Sequence, residues 1–146
     1  MNTWKFLSTC AYIGYLPLAP GSWCSIIFFL IWFYAPLNAT IQLLIILFFF
    51  LIGIISSNKT SLLLNKKDPP EIVIDEALGI LISLFMLPKN IILCFIALLI
   101  FRLLDIFKPS IIYSIQNFPN GLGIMLDDVI AGMITCIICH GLSSIL

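Results

Sequence analysis

The stretch GLGIMLDDVIAGM, residues 121–133, sets Asp127 and Asp128 side by side among apolar residues and glycines. Adjacent carboxylates repel each other, and each resists leaving water. The other acids of the chain are Asp68, Glu71, Asp75, Glu76 and Asp105, so none of the seven precedes residue 68 and all fall in three short clusters. No His or Cys stands within those clusters. Oxygen donors in this number suit a hard cation such as Mg²⁺, which takes one or two protein carboxylates and fills its shell with water and phosphate oxygens. In FRLLDIFKP, residues 101–109, Arg102, Asp105 and Lys108 are spaced i, i+3, i+6, along one helix stripe. A guanidinium meets phosphate with a planar fork, and an ammonium meets it as a compact point charge. Carboxylates with Arg and Lys beside them point to chemistry on a phosphate group.

Each stretch also has a local role. KDPPEIVIDEALG, residues 67–79, is expected to open a helix, with Asp68 as N-cap, Pro69 at the first helical position and Glu71 at the third, a capping box. Asp75 and Glu76 lie deeper. They point about 100° apart on a helix, so they can serve two partners or two faces of one site. FRLLDIFKP ends a helix, with Pro109 as its stop. Before the last helix, Gly121 and Gly123 allow close backbone approach. The helix dipole favours Asp127 and Asp128 by only ~0.3–1 kcal/mol, against several kcal/mol for a buried, unpaired carboxylate. Something stronger must neutralise them. GYLPLAPGSWCS, residues 14–25, is a rigid turn before an apolar helix, with Ser22 as the expected N-cap and Ser25 three residues on. Free N–H groups at such a start bind anions. Trp23 suits a membrane interface.

The elements that position these residues must be apolar helices. Hydrophobic residues make up 62% of the 146 and charged residues 10%, where a soluble domain has ~45–50% and ~25%. So short a chain cannot hide that surface in its own core, and the surplus is expected to face membrane lipids. Five apolar segments stand out, at 23–37, 41–57, 72–88, 91–107 and 122–143. Open strands would leave backbone groups unpaired in lipid, so the fold class is all-α: one compact, multi-helical integral membrane domain over 1–146. Several segments fall short of the ~20 residues a span needs, so some are expected to be buried, tilted or re-entrant. If all five cross, residues 1–22, 58–71 and 108–123 share one side, with Lys5, Lys59, Lys66, Lys67, Lys108 and the nearby Arg102. Lys89 alone belongs to the other. The positive-inside rule then makes the first side cytoplasmic. Each acidic cluster sits near that end. The first apolar run follows no basic n-region and is interrupted by Pro17, Pro20 and Gly21, so it does not read as a cleavable leader.

GYLPLAPGSWCS, IVIDEALG, FRLLDIFKP and GLGIMLDDVIAG, in this order and spanning residues 14–132, resemble the phosphatidylglycerophosphatase A family. The resemblance implies a bacterial inner-membrane phosphatase that takes the terminal phosphate from phosphatidylglycerophosphate and depends on Mg²⁺. The family's loop usually reads APGT-W-G-S, and Ser22 and Cys24 depart from it here. Ser110 and Ile111 follow Pro109 where a Trp-Pro is common, and Asn120 stands where a glycine is expected. On this reading Asp75, Glu76, Asp105, Asp127 and Asp128 supply the metal ligands and catalytic acids for one or two Mg²⁺. Arg102 and Lys108 neutralise the phosphate, and the loop with Gly21, Ser22 and Ser25 holds a phosphoryl oxygen or the glycerol. Metal-activated water and direct carboxylate attack both remain open as the nucleophilic step.

Three other readings compete. CIICH, residues 136–140, matches the c-type haem pattern C-x-x-C-H, but it stands alone at a helix end and leaves the acids unexplained, so no haem is expected. The five cysteines are scattered and odd in number, which suits buried thiols better than a disulfide scaffold. An ion or solute transporter would use membrane carboxylates, but would place them mid-membrane with access from both sides. A purely structural membrane subunit would tolerate their neutralisation. With zero formal net charge, bulk electrostatics name no nucleic-acid partner.

Overall fold

The computed structural model describes residues 2–109 and 121–144, all helix, turn and coil. Its helices are α1 (Thr3–Ser8), α2 (Pro20–Tyr34), α3 (Ala39–Leu64), α4 (Ile74–Ser83), α5 (Ile91–Phe107) and α6 (Gly121–Ser143), with a 3-10 turn at Ile13–Tyr15. The all-α expectation holds. Ser110, Ile111 and Asn120, where the loop departs from the family pattern, lie outside the described residues.

Helix α3 is about 39 Å long and α6 about 35 Å, and both are long and apolar enough to cross a membrane. The outer face of α3 exposes Leu43, Leu44, Leu47, Phe48 and Leu51, a surface suited to lipid. Helices α2 and α5 are shorter, about 22 and 26 Å.

Segment 72–88 does not cross as one helix. Helix α4 is about 15 Å long, half of a ~30 Å hydrocarbon core, and seven of its ten residues are buried. It packs against α2, α3, α5 and α6. One core cluster joins Trp32, Ile80, Leu84, Ala97 and Phe101, and a second joins Cys24, Val73, Ala77, Leu78 and Met125. Burial of seven of its ten residues among four other helices marks α4 as the inner helix.

Two expected helix starts are wrong. Helix α4 opens at Ile74 with no side-chain cap, and Asp68 to Glu71 form the turn before it. Pro70 disfavours helical backbone at Pro69, so the capping box cannot form. Asp75 and Glu76 therefore sit in the first turn rather than deeper. Helix α2 opens at Pro20 with Ala19 at the cap position, not at Ser22. Proline is pre-set for the first helical position, and that outweighs the serine.

The two ends of the bundle differ as the charge pattern requires. At one end Asn38 caps α3 by accepting from the Ile41 N–H at 2.9 Å, and Asn90 caps α5 through the Ile92 and Leu93 N–H groups. Lys89 donates there to the Phe33 and Ala35 carbonyls. At the other end the Ser8 and Thr60 hydroxyls share a 2.8 Å hydrogen bond, and the Val73 N–H donates to the Ser8 carbonyl at 3.0 Å. Helix α1 thus ties the end of α3 to the start of α4.

Helices α4 and α6 run side by side in the same direction, touching at two glycines. A Cβ on Gly132 would stand 2.6 Å from the Gly79 carbonyl, and one on Gly79 would stand 2.4 Å from the Phe101 ring and 3.0 Å from the Asp128 carbonyl. Gly132→Val should therefore force the pair apart and lower stability by about 1–3 kcal/mol. Thermal unfolding in detergent checks this, and an unchanged midpoint would refute the close contact.

Candidate active site

The glycine contact positions the acids. Asp75 and Glu76 lie one turn before Gly79 on α4, and Asp128 lies one turn before Gly132 on α6, so the three share the facing sides. Ligand oxygens of Asp75, Glu76 and Asp128 all fall within 4.8 Å of one another. Each residue carries one buried oxygen with no hydrogen-bond partner among the described residues: Asp75 Oδ1, Glu76 Oε2 and Asp128 Oδ2. Burial, then the charge of Glu76, pushes Asp75 well above the usual carboxylate range. Burial, then the charge of Asp128, pushes Glu76 up to about 8. An all-oxygen donor set with orphaned buried atoms fits a hard divalent cation.

The other two acids are already matched. Arg102 Nη1 lies 2.5 Å from Asp105 Oδ2 and 3.9 Å from Glu76 Oε1. Lys108 Nζ lies 2.5 Å from Asp127 Oδ2 and 3.6 Å from Asp105 Oδ1. Asp127 also accepts the Asp128 N–H at 3.0 Å. Asp105 and Asp127 thus hold the two cations in place, while the negative charge of Asp105 still bears on Asp128. Lys108 is the C-cap of α5, in the left-handed region at φ 38°. Burial opposes its charge, but Asp127, Asp128 and Asp105 outweigh burial and raise its pKa above the usual lysine value. Arg102 keeps a buried Nε–H with no partner among the described residues.

A cleft of about 320 Å³ opens beside these groups. Gly21, Asp75, Glu76, Arg102, Asp105 and Lys108 line it. Gly21 leaves room for Glu76: a Cβ there would stand 1.9 Å from Glu76 Oε1, so the carboxylate would have to move. The two serines named with it stand apart from the cleft wall. Ser22 is half-buried, and Ser25 is buried with its hydroxyl donating to the Gly21 carbonyl at 3.0 Å. Asp68, Pro69 and Pro70 form a rigid lip on the cleft, a role hidden behind the capping reading. The doubled proline was the signal for it.

Cysteines serve packing. Cys24 Sγ donates to the Val73 carbonyl at 3.1 Å, just before the acidic turn. Cys139 is buried in the core, the Cys136 thiol turns towards the Phe85 carbonyl, and His140 is exposed. Trp23 stays exposed, its Nε1–H donating to the Pro17 carbonyl at 3.3 Å.

A profile of the family described as Phosphatidylglycerophosphatase A matches residues 6–143. The chain is 32% identical over 137 residues to Phosphatidylglycerophosphatase A of Escherichia coli strain K12, covering 92% of this chain and 80% of that one. It is 38% identical over 77 residues to a protein of Bacteroides thetaiotaomicron named Putative phosphatidylinositol-3-phosphatase, covering 49% of this chain and 46% of that one. That second match spans about half of the relative's length. No solved structure matches the chain.

Two outcomes follow from the geometry. Gly21→Ala should displace the Glu76 carboxylate and weaken divalent-cation binding about tenfold, the size of effect that a lost supporting contact has at a metal site. Titration calorimetry checks it, and parent-like affinity would show that Glu76 is not part of the site. Because Glu76 is raised to about 8, it holds a proton below that pH, and a cation must displace it. Affinity should therefore rise with pH through about 8, with protons released on binding. A flat profile between pH 6 and 9 would contradict this.

Proposed function

This chain belongs to the phosphatidylglycerophosphatase A family, and from that premise we propose that it is a Mg²⁺-dependent enzyme hydrolysing the terminal phosphate monoester of phosphatidylglycerophosphate to phosphatidylglycerol and inorganic phosphate. The observation that carries the reading is the group of three carboxylates whose buried oxygens lack partners among the described residues, set beside two cations that other acids already orient.

Asp75, Glu76 and Asp128 would hold the metal, which when bound supplies charge neutralisation and polarises phosphoryl oxygens. Arg102, fixed by Asp105, would offer the phosphate its Nε–H, which has no partner among the described residues. Lys108, fixed by Asp127 and facing the same cleft, balances negative charge that grows as the phosphorus–oxygen bond breaks. Neither cation must reorganise during reaction, because Asp105 and Asp127 hold them beforehand. Gly21 gives the cleft the room that Glu76 and a phosphoryl group need. In hydrolysis the water oxygen bonds to phosphorus, and the leaving glycerol oxygen takes up a proton.

The charged end would face the cytoplasm of a bacterial inner membrane, since it gathers Lys5, Lys59, Lys66, Lys67, Lys108 and Arg102 while Lys89 lies at the other end. Lipid tails would stay in the bilayer and the headgroup would reach the cleft. A transport path would need polar groups towards the far end. There, the groove between α3, α4 and α6 is lined by Leu43, Ile46, Ile82, Phe85, Met133, Cys136 and Ile137.

Purified protein in mixed micelles with phosphatidylglycerophosphate should release phosphate, lose activity with EDTA and regain it with Mg²⁺. Asp75→Asn and Asp128→Asn should each lower turnover by more than about 100-fold, beyond what loss of an outer partner costs, while inserting normally. Near-parent turnover in both variants would remove the metal-site assignment. Phosphatidylinositol 3-phosphate, suggested by the name of the Bacteroides relative, is the comparison substrate, and faster release from it would reassign the headgroup.

A further inference from the structure

An open apolar groove of about 280 Å³ lies between α1, α2 and α3. Phe6, Ile27, Ile31, Phe49 and Ile52 are among its walls, and the buried Ile74 lies at its inner side. Ile74 directly precedes Asp75, so groove and acidic cluster meet at the first turn of α4. Helix α2 also connects them. Gly21 touches the Glu76 carboxylate. Ile27 lies six residues on, about 9 Å along the axis, and Ile31 about 6 Å further. Along α2 the groove residues therefore lie about a headgroup's depth from the cleft and lead away from the charged end. Lys5, one position before Phe6, holds its ammonium 5.8 Å from the centre of the Tyr15 ring. A cation next to a wall residue of an apolar slot complements a phosphodiester next to an acyl chain.

We propose that this groove seats one acyl chain of the phospholipid substrate, with Lys5 facing the phosphodiester while the terminal phosphate lies in the acidic cleft. The inference rests on the lipid-phosphatase reading above. Bilayer tails are as apolar as the groove walls, so the seat orients the lipid rather than extracting it. Its effect falls on KM for the lipid and not on the chemistry of the phosphate.

Photolabelling tests occupancy. The full chain, in phosphatidylcholine vesicles, is exposed to phosphatidylglycerophosphate with a diazirine in mid-acyl chain. Label should concentrate on the groove stretches of α2 and α3. It should be displaced by excess unlabelled phosphatidylglycerophosphate and not by added phosphatidylcholine. Label spread over the whole outer face of α3, or displaced equally by phosphatidylcholine, marks ordinary surrounding lipid and overturns the proposal. Kinetics give the second measurement. Ile27→Trp and Ile52→Trp fill the groove and should raise KM for the dioleoyl lipid about fivefold, while kcat/KM for the water-soluble, deacylated headgroup stays at the parent value. Equal loss on both substrates, or none on either, overturns it. Labelling is read whether or not phosphate is released, so an inactive parent protein would refute the proposed reaction while the label still decides the groove.

Discussion

Asp75, Glu76 and Asp128 bring oxygens within 4.8 Å of one another, and each of the three carries a buried oxygen without a partner among the described residues. An uncompensated buried carboxylate costs several kcal/mol, and a whole domain is stable by only ~5–15 kcal/mol. Three such groups cannot coexist as free anions at neutral pH. They must keep protons or share a cation, and the raised pKa values of Asp75 and Glu76 are the protonated form of that choice. Asp105 and Asp127 meet the same demand differently, through Arg102 and Lys108. One group of carboxylates is left open to a cation, and its neighbours keep the basic side chains oriented.

Holding like charges together needs a rigid frame, and the frame is the short inner helix. Helix α4 is enclosed by four others, so its first turn cannot swing away from α6. The glycine pair at 79 and 132 draws the two backbones together, and the facing turns beside it carry the acids. The start of α4 is held on further sides. The Val73 N–H bonds to the Ser8 carbonyl, and the Val73 carbonyl accepts from Cys24. The cysteine at a position where the family usually has glycine thus has a structural use.

Apolarity sets the second division. The long helices α3 and α6 match the thickness of a bilayer in length and composition, while polar and charged groups gather around the cleft at one end of the bundle. Helix α2 reaches both regions: its first turn lines the acidic cleft and its later turns line an apolar groove. A molecule with a phosphate at one end and hydrocarbon at the other matches that sequence of environments along one helix.

Much of this was legible in the residues. The Arg102–Asp105–Lys108 stripe forms as its spacing requires, because helical periodicity is local. The opposite placement of Lys89 and the other basic residues follows from where apolar runs begin and end. Other features were not legible. The helix starts at Asp68 and Ser22 were misplaced because proline geometry overrode side-chain capping. The 72–88 run concealed a ten-residue inner helix, since continuous apolarity does not distinguish a span from a buried core element. Composition and periodicity by themselves determined an all-helical chain for an apolar medium, with acids and cations collected at one end. Only the tertiary structure divided five acids into three that crowd and two that are paired. That division depends on how closely two backbones approach at Gly79 and Gly132, a distance set by packing between segments about 50 residues apart that no local pattern encodes.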